Sequence, residues 1–417
     1  MSDLKEPELS EREHEPKGPL AQVRILDFTH TLAGSASTVV LAAMGAEVIK
    51  VEHRKRIENQ DSMRVDRMRP WLTSVIAPVF LATNYNKRGI TLDMSHSEAI
   101  QLVKRLTKLS HVVSNSFRPG TMDKFGIGYS VLREIKPDII MISLSGHGDT
   151  GPERSYRGYA GVYSSLAGLS ELVGYADSPP TDTRSSADFR AGLYGAQAIL
   201  AALNHWQRTG EGQYIDFSQR EANTPPVADA IMDYTMNKRN QSRSGNRDPV
   251  MAPHNCYRCR GQDRWISIAV GMEKEWKALC DVMGNPEWSE EARFSDEDCR
   301  WQNQNELDKL IETWTINYDS FELMKMLQNV GVAAIPSFDS RDLCEDPHLK
   351  ERNAFSVVEH PELGKHYVLS PPWRLSVTPV KATKCFPSPG EDNEYVFGEL
   401  LGLSSQEIAA LEEKGVI

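Results

Sequence analysis

Val23-Arg-Ile-Leu-Asp-Phe28, then a small-residue segment from Ala33 to Met44, then Glu47-Val-Ile-Lys-Val-Glu52: this stretch decides the fold. Its two apolar runs read as strands and the segment between them as a helix. Strand, short helix and strand make a βαβ unit, whose crossover favours a parallel sheet. The pattern repeats downstream. Ser97 to Leu109 is amphipathic, with apolar residues at Ile100, Val103 and Leu106, and His111-Val-Val-Ser114 follows as a strand. Val131 to Ile135 reads as another short helix, ahead of Asp138-Ile-Ile-Met-Ile-Ser-Leu144. This alternation predicts a Rossmann-like, doubly wound α/β domain, with ligands bound outside the carboxyl ends of the strands.

Working outward, residues 1–19 hold Glu, Lys, Pro and Ser with almost nothing apolar and read as a mobile tail. The large domain is expected over 20–223, completed by 345–417. Residues 224–250, rich in Pro, Asn, Arg and Ser, read as a linker, and 251–344 as a smaller α+β domain. In the latter, Asn255 to Arg260 and Arg264 to Val270 form a predicted hairpin across Gly261-Gln-Asp263. Helical patterns follow at Lys274 to Met283, Glu306 to Trp314 and Ser320 to Val330, then a strand from Val332 to Pro336. Near the end, Ser404-Ser-Gln-Glu407 is a capping box opening a helix through Glu413.

Composition narrows the function. A chain of 417 residues has room for two ordinary domains, and a net charge of -11 argues against nucleic-acid binding, which favours a basic face. No run approaches the roughly 20 apolar residues of a membrane span, and the start lacks a signal-peptide pattern, so a cytoplasmic location is expected. The six cysteines are scattered and read as free thiols. Cys256 and Cys259 are close, but no second ligand pair follows at zinc-site spacing, so no metal is expected.

Two motifs carry chemistry. In Ser185-Ser-Ala-Asp-Phe-Arg-Ala-Gly192 a carboxylate precedes a helical run from Ala191 to Asn204. Asp is a common helix cap, yet the same helix terminus also keeps a carboxylate ionised, and an ionised carboxylate aimed at a cleft can attack an acyl carbonyl. Asp188 is therefore the candidate nucleophile. Upstream, Ser145-Gly-His-Gly-Asp-Thr-Gly-Pro152 contains G-x-G-x-x-G after a strand. A nicotinamide site would place that pattern after the first strand and open a helix with it, whereas here Pro152-Glu-Arg-Ser-Tyr-Arg-Gly158 follows and the first loop reads Thr29-His-Thr-Leu-Ala-Gly34. The loop is better suited to hydrogen-bonding an oxyanion through backbone N–H groups, with Gly146 and Gly148 permitting close approach.

Taken together, the first strand, Met44-Gly-Ala-Glu-Val-Ile-Lys-Val-Glu52, Asn86-Lys87, Phe117-Arg-Pro-Gly120, Ser145-Gly-His-Gly148, Ala187-Asp188 and Thr209-Gly-Glu-Gly-Gln213 bring a family into view. From about residue 20 onward the chain resembles the class III CoA-transferases of the formyl-CoA and carnitine type. The resemblance implies a Rossmann-like large domain, a small domain and two subunits threaded as interlocked rings, in a homodimer or with a homologous sister subunit in a heterodimer or heterotetramer. It implies coenzyme A as acyl-CoA substrate, no metal, and Asp188 as nucleophile: the carboxylate forms an acyl anhydride, then an aspartyl-CoA thioester, and the incoming acid reverses the sequence. By motif position it places CoA against Thr31, Leu32, Ala33, His53, Arg54, Asn86, Lys87, Ser116, Phe117, Lys124, Phe125, Ser145, Gly146 and His147, with Gly148, Tyr159 and Tyr163 lining the acyl pocket. The basic cluster Arg54 to Arg56 would hold a phosphate.

This chain departs from the family pattern in places. Leu32 stands where many members have a Gln, Asn115-Ser-Phe117 where many have Glu-Asn-Phe, and Ser244-Gly-Asn-Arg-Asp248 has one glycine where a Gly-rich lid is common. The related α-methylacyl-CoA racemases pair the Asp with a His in Gly-His-Asp. Here Gly158-Tyr-Ala-Gly161 supplies no second acid or base, which disfavours racemisation. A non-catalytic CoA-binding subunit is disfavoured by retention of Asp188. Gly245-Asn-Arg-Asp-Pro-Val-Met-Ala-Pro-His254 with Asp263-Arg-Trp-Ile-Ser-Ile-Ala-Val270 is similar to subunits of the benzylsuccinate CoA-transferases of anaerobic toluene breakdown. That likeness implies succinyl-CoA as donor and an aromatic dicarboxylate as acceptor.

Overall fold

The computed structural model describes residues 18–53, 82–181, 186–361 and 364–417. Six strands, β1 (Arg24–Phe28), β2 (Glu47–Glu52), β3 (Arg88–Thr91), β4 (Val112–Asn115), β5 (Ile140–Ser145) and β6 (Tyr214–Ser218), form one sheet in the order β3-β2-β1-β4-β5-β6. Every neighbouring pair is parallel. The expected Rossmann-like α/β fold is thus present.

Both faces of the sheet are buried, which is why its central strands read as continuous apolar runs. Ile25, Val48, Val112 and Ile140 point to one side, where they meet helix α1 (Thr31–Ala43) and the long helix α2 (Ser186–Thr209) through Leu41, Ala196 and Ile199. Leu26, Ile49, Val113 and Met141 point to the other, against Val103, Leu106 and Phe397. The helices α1 and α2 touch closely. A Cβ on Gly192 would lie 2.6 Å from the Ala36 Cβ, so only glycine lets α2 approach that far.

The chain divides into two compact units. One takes in the described residues of Met1–Leu169, Asp182–Asp229 and Glu351–Ile417; the other is Ser170–Thr181 with Ala230–Lys350. The second unit has an antiparallel sheet of β7 (His254–Arg258), β8 (Trp265–Ala269) and β9 (Ala333–Pro336), packed on helices through Tyr257, Ile266, Ile268, Leu279, Leu307, Ile311 and Leu327. In the first unit a separate hairpin, β10 (Phe355–His360) with β11 (Gly364–Leu369), adds a small sheet.

Three sequence expectations need correction. The stretch 224–250 holds a helix, Ala228–Asn237, and from Ala230 it belongs to the second unit. Ser170–Thr181 joins that unit too, because the Gly245 N–H donates to the Gly174 carbonyl at 2.8 Å and Arg243 pairs with Glu171 at 2.9 Å. Of the expected tail, residues 1–17 lie outside the described residues, but Gly18 and Pro19 form a turn and the next amide, on Leu20, donates to the Met44 carbonyl at 2.9 Å. Among the described residues no helix is long and apolar enough to cross a membrane.

Candidate active site

Strand order reverses between β1 and β4. From β1 the chain runs outward to β2 and β3, and from β4 outward to β5 and β6, so the loops leaving the carboxyl ends of β1 and β4 diverge and open a crevice. His30 and the first turn of α1 form one wall. Ser116 and Phe117 form the other. The Ser116 hydroxyl fastens the two, accepting from the His30 N–H at 2.8 Å and donating to the His30 carbonyl at 3.1 Å. The rings of His30 and Phe117 lie 5.3 Å apart, and Phe125 meets Phe117 edge-on at 6.0 Å. Thr31 enters the helix with φ of 60°, a conformation a β-branched residue rarely adopts. No side chain caps α1 and its first turn holds no acidic residue. Its leading amides and positive dipole end suit an anion.

A buried ionic cluster fixes this loop from below. Asp27, at 0% exposure, accepts from the Thr29 amide and the Ser114 hydroxyl through Oδ1, and from Thr38 and Lys87 through Oδ2. Burial would raise its carboxyl, but the Lys87 and Lys50 ammoniums and the Thr29 bonds outweigh that and hold it at about 2. Lys50 Nζ donates to the Thr29 carbonyl at 2.9 Å, pinning the first loop residue.

Asp188 lies in the first turn of α2, half-buried. It is not ahead of the helix, as its sequence context suggested: α2 begins at Ser186 and runs past the expected end at Asn204 to Thr209. Gln219, in the turn after β6, donates from Nε2 to Asp188 Oδ1 at 2.5 Å. Next to it, the Arg220 amide donates to the Gly146 carbonyl at 3.0 Å, which ties the loop after β5 to the same turn. Asn223 Nδ2 donates to the carbonyls of Ala187 and Gln219, and Arg190 donates to Asn223 Oδ1 at 2.7 Å. The start of α2 and the ends of β5 and β6 are therefore one hydrogen-bonded assembly.

In the Gly-rich loop, a Cβ on Gly146 would fall 2.1 Å from the Tyr163 hydroxyl oxygen. Burial pushes the Tyr163 phenol up; the Gly158 backbone bond and the Arg118 charge oppose this, while the Asp188 charge adds to it. Tyr163 is thus near enough to Asp188 and Arg118 to sense both. The His147 ring meets Tyr163 and Tyr156 edge-on, at 5.4 and 6.1 Å. Neither His147 ring nitrogen nor the Ser145 hydroxyl has a hydrogen-bond partner among the described residues, though all three atoms are buried. His147 and Gly148 also line a cavity of about 480 Å³ with Arg154, Ser218 and Arg220.

The structure gathers Thr31, Leu32, Ala33, Ser116 and Phe117 at the crevice, and Ser145, Gly146, His147, Gly148 and Tyr163 on the Asp188 side. Others among the expected contacts are engaged elsewhere. Lys87 is wholly buried, its Nζ within reach of four acceptors, Thr38 Oγ1, Asn84 Oδ1, Asp27 Oδ2 and the Ser35 carbonyl. An ammonium has three N–H groups, so none remains for CoA. Asn86 spends its side chain on the backbone of Lys381, Thr383 and Lys384. His53 pairs with Asp93 at 3.4 Å. Lys124 and Tyr159, by contrast, are exposed, Tyr159 at 76% just ahead of helix Ala160–Leu166. Arg54 to Arg56 lie outside the described residues. Gln219 was missed by sequence reasoning; its only signal is its place directly after a strand end.

Comparison with known proteins gives the class: the protein is a CoA-transferase. More narrowly, it belongs to CoA-transferase family III, whose model matches residues 20–393. Succinyl-CoA–D-citramalate CoA-transferase of Chloroflexus aurantiacus is 34% identical, covering 96% of this chain and 99% of its own. Succinyl-CoA:mesaconate CoA-transferase of Haloarcula hispanica is 31% identical, covering 89% and 92%. The crystal structure of a CAIB/BAIF family protein from Brucella suis superimposes with a TM-score of 0.83 at 29% identity, covering 93% of this chain and all of that one.

Proposed function

We propose that this CoA-transferase takes CoA from succinyl-CoA and delivers it to a short dicarboxylic acid, with Asp188 as the covalent carrier. The observation that carries this reading is a carboxylate in the first turn of α2, hydrogen-bonded by Gln219 and joined through the Gly146 carbonyl to the Gly-rich loop. The Asp188 carboxylate attacks the donor thioester carbonyl, giving an acyl anhydride and CoA thiolate. The thiolate attacks the aspartyl carbonyl, releasing the donor acid and leaving an aspartyl-CoA thioester; the acceptor carboxylate then reverses both steps. No charge is created or lost overall.

The substrate class rests on relatives named for succinyl-CoA with D-citramalate, L-malate or mesaconate, and for succinate with glutarate. Benzylsuccinate is the aromatic member of the same class and belongs in the same test. Relatives named as alpha and beta subunits support a sister chain, and the family likeness supports an interlocked dimer.

The test is direct. The protein is incubated with succinyl-CoA, reduced with borohydride and mapped by mass spectrometry, then assayed against citramalate, malate, mesaconate, glutarate and benzylsuccinate, with oxalate and formate as controls. Reduction at Asp188, and loss of at least about 10³-fold of turnover in Asp188→Asn, are expected. Label on another residue sinks the mechanism.

A further inference from the structure

We propose that the Gln219 side-chain amide is a catalytic hydrogen-bond donor, holding Asp188 Oδ1 in the resting carboxylate and stabilising negative charge on that same oxygen whenever the aspartyl carbonyl is attacked. The inference rests on the Asp188 reading above and adds a second catalytic group to it.

The contact has a fixed polarity. A carboxylate offers only acceptors, so the group facing it at 2.5 Å is Nε2, a donor. Gln219 is nearly buried, with 9% exposure, so its bond competes little with water. Its backbone is immobilised from both sides: its carbonyl accepts from Asn223 Nδ2 at 2.8 Å, and the following amide donates to Gly146. Asn223 in turn holds the Ala187 carbonyl, one residue before Asp188. Donor and acceptor are thus positioned by one framework before substrate arrives, the condition under which electrostatic stabilisation is strongest. The Leu32 side chain, on the β1 side of the crevice, has no donor to offer.

Oxygen bookkeeping shows when the donor matters. Attack through Oδ2 makes that atom the bridging oxygen of the anhydride. When CoA thiolate attacks the aspartyl carbon, the C–S bond forms, the bond from that carbon to Oδ2 breaks, and Oδ2 leaves within the donor acid. Oδ1 stays on the aspartyl carbon throughout. It carries the negative charge of the tetrahedral adduct in this step, and again when the acceptor carboxylate attacks the aspartyl-CoA thioester. An amide donor already 2.5 Å from Oδ1 meets the charge where it develops. The first and last steps, with the tetrahedral centre on the substrate carbonyl, need Gln219 only for orientation.

The full-length chain is compared with Gln219→Met, which keeps the side-chain length but has no hydrogen-bond donor, and with Gln219→Ala. Transfer from succinyl-CoA to the best acceptor gives kcat and KM, calorimetry gives the melting midpoint, and quenched mixing with acceptor gives the decay rate of the Asp188–CoA thioester. Both variants should lose about 10²- to 10³-fold in kcat, with donor KM within about threefold. Thioester decay should slow by the same factor, and the Met variant should melt within a few degrees of the parent. If the parent labels at Asp188 while both variants decay and turn over within about threefold of it, Gln219 is structural and the proposal is wrong. If the unmutated chain never labels at Asp188, the underlying reading fails first and takes this proposal with it. Should the Ala variant not fold, the Met variant decides alone.

Discussion

His147 is the residue whose chemistry its own fold leaves unfinished. Its ring is packed edge-on against two tyrosines, while both nitrogens are buried and lack partners among the described residues. A buried polar group left unsatisfied costs about 1–3 kcal/mol, so His147 costs stability where it stands, as groups that bind ligand commonly do. His147→Phe keeps the aromatic contacts and removes the unsatisfied atoms. Its melting midpoint should equal or exceed the parent's, while kcat/KM for the acceptor falls about tenfold or more, an opposition that a packing role cannot produce. A drop in melting midpoint with kcat/KM intact would refute this. The residue was legible in sequence because it lies in a glycine loop after a strand. Gln219 was not, because Ser218-Gln-Arg-Glu221 has no spacing that marks it, and its value comes only from where β6 ends relative to α2.

At the level of elements, the Asp27, Lys50 and Lys87 cluster shows how the β1 loop is held without touching ligand. Three charges at 0–2% exposure sit under the first turn of α1. Burial pulls the Lys87 ammonium down to about 8 against the attraction of Asp27, so the pair exists because each side compensates the other. Lys87→Met should cost about 3–5 kcal/mol, since it leaves a buried carboxylate short of its countercharge. Adding Asp27→Asn should recover more than half of that loss by calorimetry, and a double variant as unstable as the single would contradict the pairing. The sequence shows Asp27 only as a polar break in an apolar strand, and Lys87 matched a family position; that the two touch depends on β3 joining the sheet edge. β3 itself was unreadable: Arg88-Gly-Ile-Thr91 has four residues, a glycine and no run of apolar side chains. β10 and β11 were missed for a related reason, since Val357-Val-Glu-His360 and Gly364-Lys-His-Tyr367 carry charged and polar residues through both strands. The buried central strands and the Ser404 capping box, whose hydroxyl accepts from the Glu407 amide, were legible because their signals are local.

The larger unit is assembled from distant parts of the chain, and this decides what can be removed from it. Its last segment, Glu351–Ile417, supplies groups to the β3 edge: Asp392 accepts from Arg88 and from the Gly89 amide, Asn393 from the Thr91 amide, and the Tyr395 hydroxyl donates to Glu47 at 2.7 Å. Val416 and Ile417 lie in the core, 0% and 3% exposed, packed in the cluster with Ile90, Leu92 and Phe397, and the Val416 carbonyl accepts from the Asp93 amide at 2.8 Å. Fully burying one such side chain stabilises by about 1.5–3 kcal/mol, so the final two residues together contribute about 3–6 kcal/mol, a sizeable share of the about 5–15 kcal/mol that holds an ordinary domain folded. A chain stopped at Gly415 should therefore lose several degrees in melting midpoint, and one stopped at Lys350 should show no cooperative melting of the sheet at all, because the β3 edge and one face of the core would be bare. Calorimetry on the two truncations checks both. A Lys350 truncation that still melts cooperatively, with the partly buried Trp206 shielded as in the full chain, would mean that the six strands can close without the returning segment.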